Sequence, residues 1–306
     1  MVNHILDQNL PQDYKFTIMN NRTIANIINP PQAHWVGDGF KVHGFVPQKT
    51  TWDRISPFVM CDYAASQYFE PSFNQRGVGP HPHRGFETVT IAYQGEVEHN
   101  DSRGNHGIIR TGEVQWMTAG KGILHKEYHS KKFSSTGGDF QMVQLWVNLT
   151  AKDKMTEPKY QAITREKIVK VGLPNDSGKV EIITGNYNNI KGTADTFTDI
   201  NLWNVYLNES SKHNFTIPSS HNCCLLVVEG EIEVGGTLVA ADQMVLMAND
   251  GDSISIKANK KSIILVMSGE PINEPIESYG PFLMNTKAEI MDAINDFNSG
   301  KFGELE

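Results

Sequence analysis

Short β-rich runs separated by glycine, asparagine and aspartate recur along the chain, at residues 87–93, 113–117, 141–149, 179–184, 202–207, 254–256 and 263–267. Runs this short and this closely spaced, bounded by turn residues, suit a barrel or sandwich rather than alternating βα units. Helix is legible once. Near the C-terminus Thr286 is placed as an N-cap with Glu289 three residues on, and Ile290, Ile294 and Phe297 then recur at the i, i+4, i+7 spacing of one face. The pattern predicts a C-terminal helix docked against a barrel.

A weak internal repeat constrains the architecture further. Residues 89–98 (VTIAYQGEVE) resemble residues 225–233 (LLVVEGEIE), and 113–117 (EVQWM) has a counterpart in 243–247 (QMVLM), at offsets of 135 and 130 residues. Two similar offsets indicate a duplicated β-barrel. The polar stretch 148–159 (NLTAKDKMTEPK) reads as the linker, which divides the chain into 1–160 and 161–306. A length of 306 residues is about twice that of one common domain, in keeping with the duplication.

Composition excludes several classes. With 39% hydrophobic and 20% charged residues the chain is neither disordered nor fibrous. Its longest aliphatic or cysteine run, 223–228, is far short of the ~18 residues a membrane helix needs, and residues 1–7 lack a secretion signal, so a cytoplasmic protein is expected. A formal net charge of -8 opposes direct binding to nucleic acid or to anionic membranes. The three cysteines, Cys61, Cys223 and Cys224, give no readable disulfide framework.

Of 11 histidines, six fall between His81 and His129. His81 and His83 form an H-x-H pair, and His125 and Glu127 repeat the same i, i+2 spacing. On an extended strand, side chains two apart share a face and stand about 6.6 to 6.8 Å apart along the backbone. Two such pairs on neighbouring strands would place three imidazoles and one carboxylate around a single divalent metal. One H-x-H alone is more often an ordinary hydrogen-bonded pair. The second pair strengthens the metal reading, and so do Gly77, Gly79, Gly85 and Gly95 around the first pair and Gly112, Gly120 and Gly122 before the second. Glu87 has the same strand parity as His81 and His83 and is a rival ligand. His99, His106 and His129 read as supporting or surface groups, and Arg84 as an exposed arginine that could steer an anionic substrate. Phe86, Trp116 and Met117 are expected in the core or lining a pocket.

The block from residue 81 to 127 (HPHRGFETVTIAYQGEVEHNDSRGNHGIIRTGEVQWMTAGKGILHKE) closely resembles the pirin family of bicupins. So do residues 145–149 (LWVNL), 155–160 (MTEPKY) and 279–286 (YGPFLMNT). The resemblance runs from about residue 40 to the C-terminus. It implies an all-β fold of two tandem cupin barrels, with one mononuclear metal, usually iron, in the N-terminal barrel. By motif position His81, His83, His125 and Glu127 correspond to the family's four ligands, which weakens the claim of Glu87. At the 135-residue offset the second barrel carries Thr216 and Pro218 in place of His81 and His83, with only His221 nearby, so it is read as structural, closing one mouth of the first barrel.

The resemblance implies two functions. The first is a quercetin 2,3-dioxygenase type of enzyme using Fe(II), or another divalent metal, on a small aromatic substrate and dioxygen, with Glu127 exchanging between ligand and proton acceptor. The second is a metal- or redox-sensing regulator acting through a protein partner. A small-molecule isomerase on the same site ranks below both.

Overall fold

The computed structural model describes residues 20–46 and 52–305. The expectation for residues 1–7 therefore lies outside the described residues. Two barrels follow one another, each built from a seven-stranded sheet facing a four-stranded one. In the first barrel the large sheet runs in the order Lys159–Ile163, Val114–Thr118, Phe86–Gln94, Gly138–Asn148, Phe58–Phe69, Phe40–Gly44 and His34–Val36. The small sheet runs Gly77–His83, Ile123–His129, Glu96–Asp101 and His106–Arg110.

The second barrel repeats both orders. Its large sheet runs Ile24–Ile28, Met244–Met247, Asn222–Glu229, Ser262–Gly269, Ile200–Leu207, Gly178–Thr184 and Val169–Gly172. The small one runs Lys212–Thr216, Ser253–Ala258, Glu231–Val234 and Thr237–Ala240. Gly95 and Gly230, which align in the repeat, occupy equivalent turns with φ of 80° and 87°, a left-handed conformation that favours glycine. The fold is thus two cupin domains with a short C-terminal helix. One strand from the N-terminal segment, Ile24–Ile28, forms the edge of the second barrel's sheet, and Lys159–Ile163, which starts in the expected linker, pairs with Val114–Thr118 in the first.

The two large sheets pack back to back. Strands buried on both faces read as nearly continuous apolar runs, and alternation sends successive side chains to opposite sides. In Phe58–Phe69 and Gly138–Asn148 the residues Cys61, Tyr63, Val143, Leu145 and Val147 join Leu202, Cys224, Leu226, Leu265 and Met267 in one core between the barrels. Polar bonds cross the same seam: Tyr93 donates to Asn204 Oδ1 at 2.6 Å, and Tyr63 donates to Asp242 Oδ1 at 2.9 Å. The 12-residue strand Phe58–Phe69 falls outside the short β-rich runs of the sequence. The expected linker is not a free tether either, since Lys154 is buried and its Nζ donates to Gly85 O, Asn148 Oδ1 and Leu283 O at 2.6–3.0 Å.

The C-terminal helix, Lys287–Asn298, has the full capping box: Thr286 Oγ1 accepts from Glu289 N, and the Glu289 carboxylate accepts from Thr286 N. Ile290 and Ala293 are buried against Phe282, Met284 and Phe302. The helix and the preceding hairpin, Glu277–Tyr279 and Phe282–Met284, return to the first barrel, where Phe282 bridges to Arg84.

Candidate metal centre

Antiparallel pairing of Gly77–His83 with Ile123–His129 sets His81 opposite His125 and His83 opposite Ile123; a bulge then places Glu127 opposite Val78. Close approach of these strands depends on Gly77, where a Cβ would stand 2.2 Å from the Glu127 carbonyl oxygen. The rings of His81, His83 and His125 converge, with centroids 4.2 Å (His81–His125), 4.7 Å (His83–His125) and 4.8 Å (His81–His83) apart. One nitrogen from each lies within 4.8 Å of the others.

The outer nitrogens fix the tautomers. His81 Nδ1 donates to Gly79 O at 2.9 Å and His83 Nδ1 to Pro281 O at 3.4 Å, which leaves each Nε2 bare to accept or to ligate. His125 is fully buried and neither of its nitrogens has a hydrogen-bond partner among the described residues. An imidazole buried in that state is costly unless a cation or other partner meets it. Burial first, and the neighbouring imidazoles second, hold His83 and His125 well below the usual histidine range, so both are neutral, the form that binds metals. This donor set fits a divalent ion.

Glu127 lies at the same place. Its Oε1 is 3.1 Å from Thr90 Oγ1, and its carboxylate groups with His125 and His99 within 4.8 Å. His99 is expected from the sequence as a supporting or surface group. It is fully buried, stacks on Tyr160 with centroids 5.0 Å apart, and places Nε2 3.4 Å from Asp101 Oδ2.

A cavity of about 410 Å³ opens onto His81, His83 and Glu127. Phe40, Val42, Met60, Met142 and Trp146 supply its apolar walls, Asp62 and Gln144 its other polar groups, and Pro281 reaches it from the C-terminal segment. Burial pushes the Asp62 carboxyl up to about 6, with His34 pulling the other way. Neither Asp62 nor Gln144 was singled out from the sequence, although strand parity with Met60 and Trp146 could have found both.

Phe86, Trp116 and Met117 lie in the core, one of the two places expected of them: Phe86 stacks behind Trp146 at 4.2 Å, Met117 packs with Ala119 and Ile123, and Trp116 lies in the core between the barrels. Other expectations need correction. Glu87 is not with the histidines; its carboxylate accepts from Thr118 Oγ1 at 2.7 Å and from Thr196 Oγ1 at 2.8 Å. Its backbone register explains this, because Gly85 breaks the strand and Glu87 lies on a different sheet. Arg84 is buried, not exposed, and its guanidinium pairs with Asp296. His129 is buried among Phe40, Phe69, Phe133 and Phe140, while His106 is exposed and pairs with Glu98. In the second barrel His221 stands 3.4 Å from Ser268 Oγ, and among the described residues every cluster of potential ligands lies in the first barrel.

Two cupin barrels with one histidine-rich centre, at the base of a cavity in the first, define a bicupin of the kind that holds a divalent metal. The chain belongs to the pirin family. The Pirin family profile matches residues 39–147, and that of the Pirin C-terminal cupin domain matches 202–303. A Pseudomonas aeruginosa protein provisionally named a quercetin 2,3-dioxygenase is 46% identical over 281 residues, covering 92% of this chain and 98% of its own. A pirin-like protein of Solanum lycopersicum is 41% identical over 255 residues, covering 82% and 83%. Among solved structures, that of a quercetin 2,3-dioxygenase from Acinetobacter baumannii is 47% identical with a TM-score of 0.89, covering 94% of this chain and all of that one.

Proposed function

We propose that this protein is a metal-dependent dioxygenase of the quercetin 2,3-dioxygenase type, acting on a flavonol with His81, His83, His125 and Glu127 as ligands to one divalent ion and iron(II) as the working ion. The observation that carries this reading is the cavity of about 410 Å³, apolar on its walls and open on three of those four side chains. Its volume falls in the ~300–1,000 Å³ range of small-molecule sites. The names borne by the Pseudomonas and Acinetobacter relatives support the same substrate class.

Bound there, the ion would supply Lewis acidity toward a hydroxyl oxygen and the open positions that dioxygen chemistry needs. The chain's own groups do the rest. Met60, Met142 and Trp146 pack against planar rings and exclude water. His81 and His83 are held in one tautomer by Gly79 O and Pro281 O, so their bare nitrogens point inward without reorganisation. Glu127 is the proton acceptor for the flavonol hydroxyl. A carboxylate suits that role better than a fourth imidazole because its second oxygen can take the proton.

Oxygen uptake by iron(II)-loaded protein over a flavonol panel tests the proposal, with His83→Ala as the control. Uptake that tracks metal content supports it. No uptake with any flavonol would overturn it in favour of a metal-sensing regulator acting through a protein partner.

A further inference from the structure

One wall of the cavity is made by Met60, Asp62, Met142, Gln144 and Trp146, and the register of their two strands with the neighbouring Phe86–Gln94 strand sets side chains in rows. Antiparallel register sets Met60 beside Trp146 and Trp146 beside Thr88, then Asp62 beside Gln144 and Gln144 beside Thr90, then Ala64 beside Met142 and Met142 beside Ala92. One row of three polar side chains is therefore flanked by largely apolar rows. The polar row has a direction. Its inner end is Thr90, whose hydroxyl lies 2.7 Å from Gln144 Oε1 and 3.1 Å from Glu127 Oε1; with one hydrogen, it donates to one of these at a time. Its outer end is Asp62.

Among the described residues, Asp62 has none of the hydrogen-bond donors that anchor a structural carboxylate. No hydrogen bond from a described residue reaches it, and the charge that acts on it is that of His34 at the rim. Opposite it in register is Gly44, where a Cβ would come within 3.3 Å of Asp62 Oδ1, so the glycine leaves the carboxylate room. A carboxylate left half-buried in an apolar wall without a donor is costly to the fold and suited to a ligand that brings the donor.

We propose that Asp62 and Gln144 are the specificity-determining station of this site: they hold a hydroxyl on the ring of a planar aromatic ligand farthest from the metal. Strands lie about 4.7–4.9 Å apart, so Asp62 stands two spacings, roughly 10 Å, from the Thr90 end of the row where Glu127 is met. That reach matches a flavonol chelated through its hydroxyketone edge, with its pendant ring carrying the recognised hydroxyl. This inference rests on the flavonol reading of the cavity and narrows it to flavonols hydroxylated on the remote ring.

The experiment separates recognition from turnover. Metal-loaded protein is titrated without oxygen, following quenching of tryptophan fluorescence, with quercetin and with galangin, which has the same chelating oxygens and an unsubstituted pendant ring. Wild type is expected to bind quercetin tighter by about tenfold or more, since a site that hydrogen-bonds a hydroxyl discriminates against its absence. Asp62→Leu should lose most of that preference while galangin affinity is unchanged or improved, and Asp62→Asn, which keeps the shape, should fall between. Metal content and circular dichroism of each variant establish that the fold is retained. Equal binding of both flavonols by wild type, a preference undiminished in Asp62→Leu, or no binding of either ligand would overturn the proposal. If the preference depends on Asp62 and yet no oxygen is consumed, the recognition stands and the dioxygenase reading falls.

Discussion

Arg84 and Asp296 form a 2.8 Å ion pair that fastens the end of the His81–His83 strand to the C-terminal helix. Arg84 also donates from Nε to Lys121 O at 2.7 Å and lies 4.8 Å from the centre of the Phe302 ring. The same C-terminal segment supplies Pro281 O to His83. Arg84 is thus a strut between the strand that carries His81 and His83 and the C-terminal helix.

Arg84→Ala is therefore expected to destabilise the protein and loosen the metal together. Removing a buried, hydrogen-bonded ion-pair partner costs about 2–4 kcal/mol, or roughly 5–10 °C in Tm for a chain of this size. Thermal unfolding with and without added metal measures both effects. A variant with wild-type Tm and metal affinity would mean that the helix docks without this strut.

Glu87 and Glu127 should separate cleanly under the same amide substitution. Glu87→Gln keeps one acceptor for the Thr118 and Thr196 hydroxyls, so a loss of about 1 kcal/mol and full metal content are expected. Glu127→Gln keeps the shape but removes charge and proton acceptor. Turnover should fall by about 10² or more while part of the metal remains. Elemental analysis and oxygen uptake on the same samples decide it. Metal loss in Glu87→Gln would return that residue to the ligand set.

Much of the architecture was legible because it is local. The strand runs, the Gly95 and Gly230 turns and the Thr286–Glu289 capping box are each encoded within a few residues, and the 135-residue offset linked the two barrels. The i, i+2 spacing of His81 with His83 and of His125 with Glu127 is likewise readable from strand geometry. What escaped depends on register between strands distant in sequence. Asp62 meets Gln144 across a separation of 82 residues, and no pattern near either one announces it. Arg84 misled because its partner is 212 residues away. Phe86 and Met117 stay open between core and cavity in the sequence because parity says which residues share a face, but not whether that face lines a cavity or lies behind one.

The core between the barrels makes each half depend on the other. Truncation after about residue 165 would remove every strand that covers Cys61, Tyr63, Val143, Leu145 and Val147, and would leave Ile24–Ile28 without its sheet. Each large apolar side chain uncovered forfeits about 1.5–3 kcal/mol. The fragment is expected to be insoluble. A soluble, metal-loaded fragment in a sedimentation assay would contradict this.

Asp62 also gives a pH signature in the metal-free protein. Its folded carboxyl is pushed up to about 6 by burial, against an unfolded value of about 4. Between those values the folded state holds more protons than the unfolded one, so stability falls as pH rises through the window, and the deficit is complete above pH 6. Among the described residues, the titratable groups around Asp62 are His34 at the rim, His81, His83 and Glu127 lining the same cavity, and the buried, neutral Cys61 thiol beside it in the chain. Two pKa units correspond to about 2.7 kcal/mol, which partial exposure to solvent reduces to about 1–2 kcal/mol. Asp62→Asn removes the deficit. The variant should therefore be more stable than wild type at pH 8 by that amount, and the two should converge near pH 4. Urea unfolding of both proteins at pH 4, 6 and 8 measures the difference. An advantage that is absent at pH 8, or equally large at pH 4, would show that the cavity wall does not hold Asp62 at a cost.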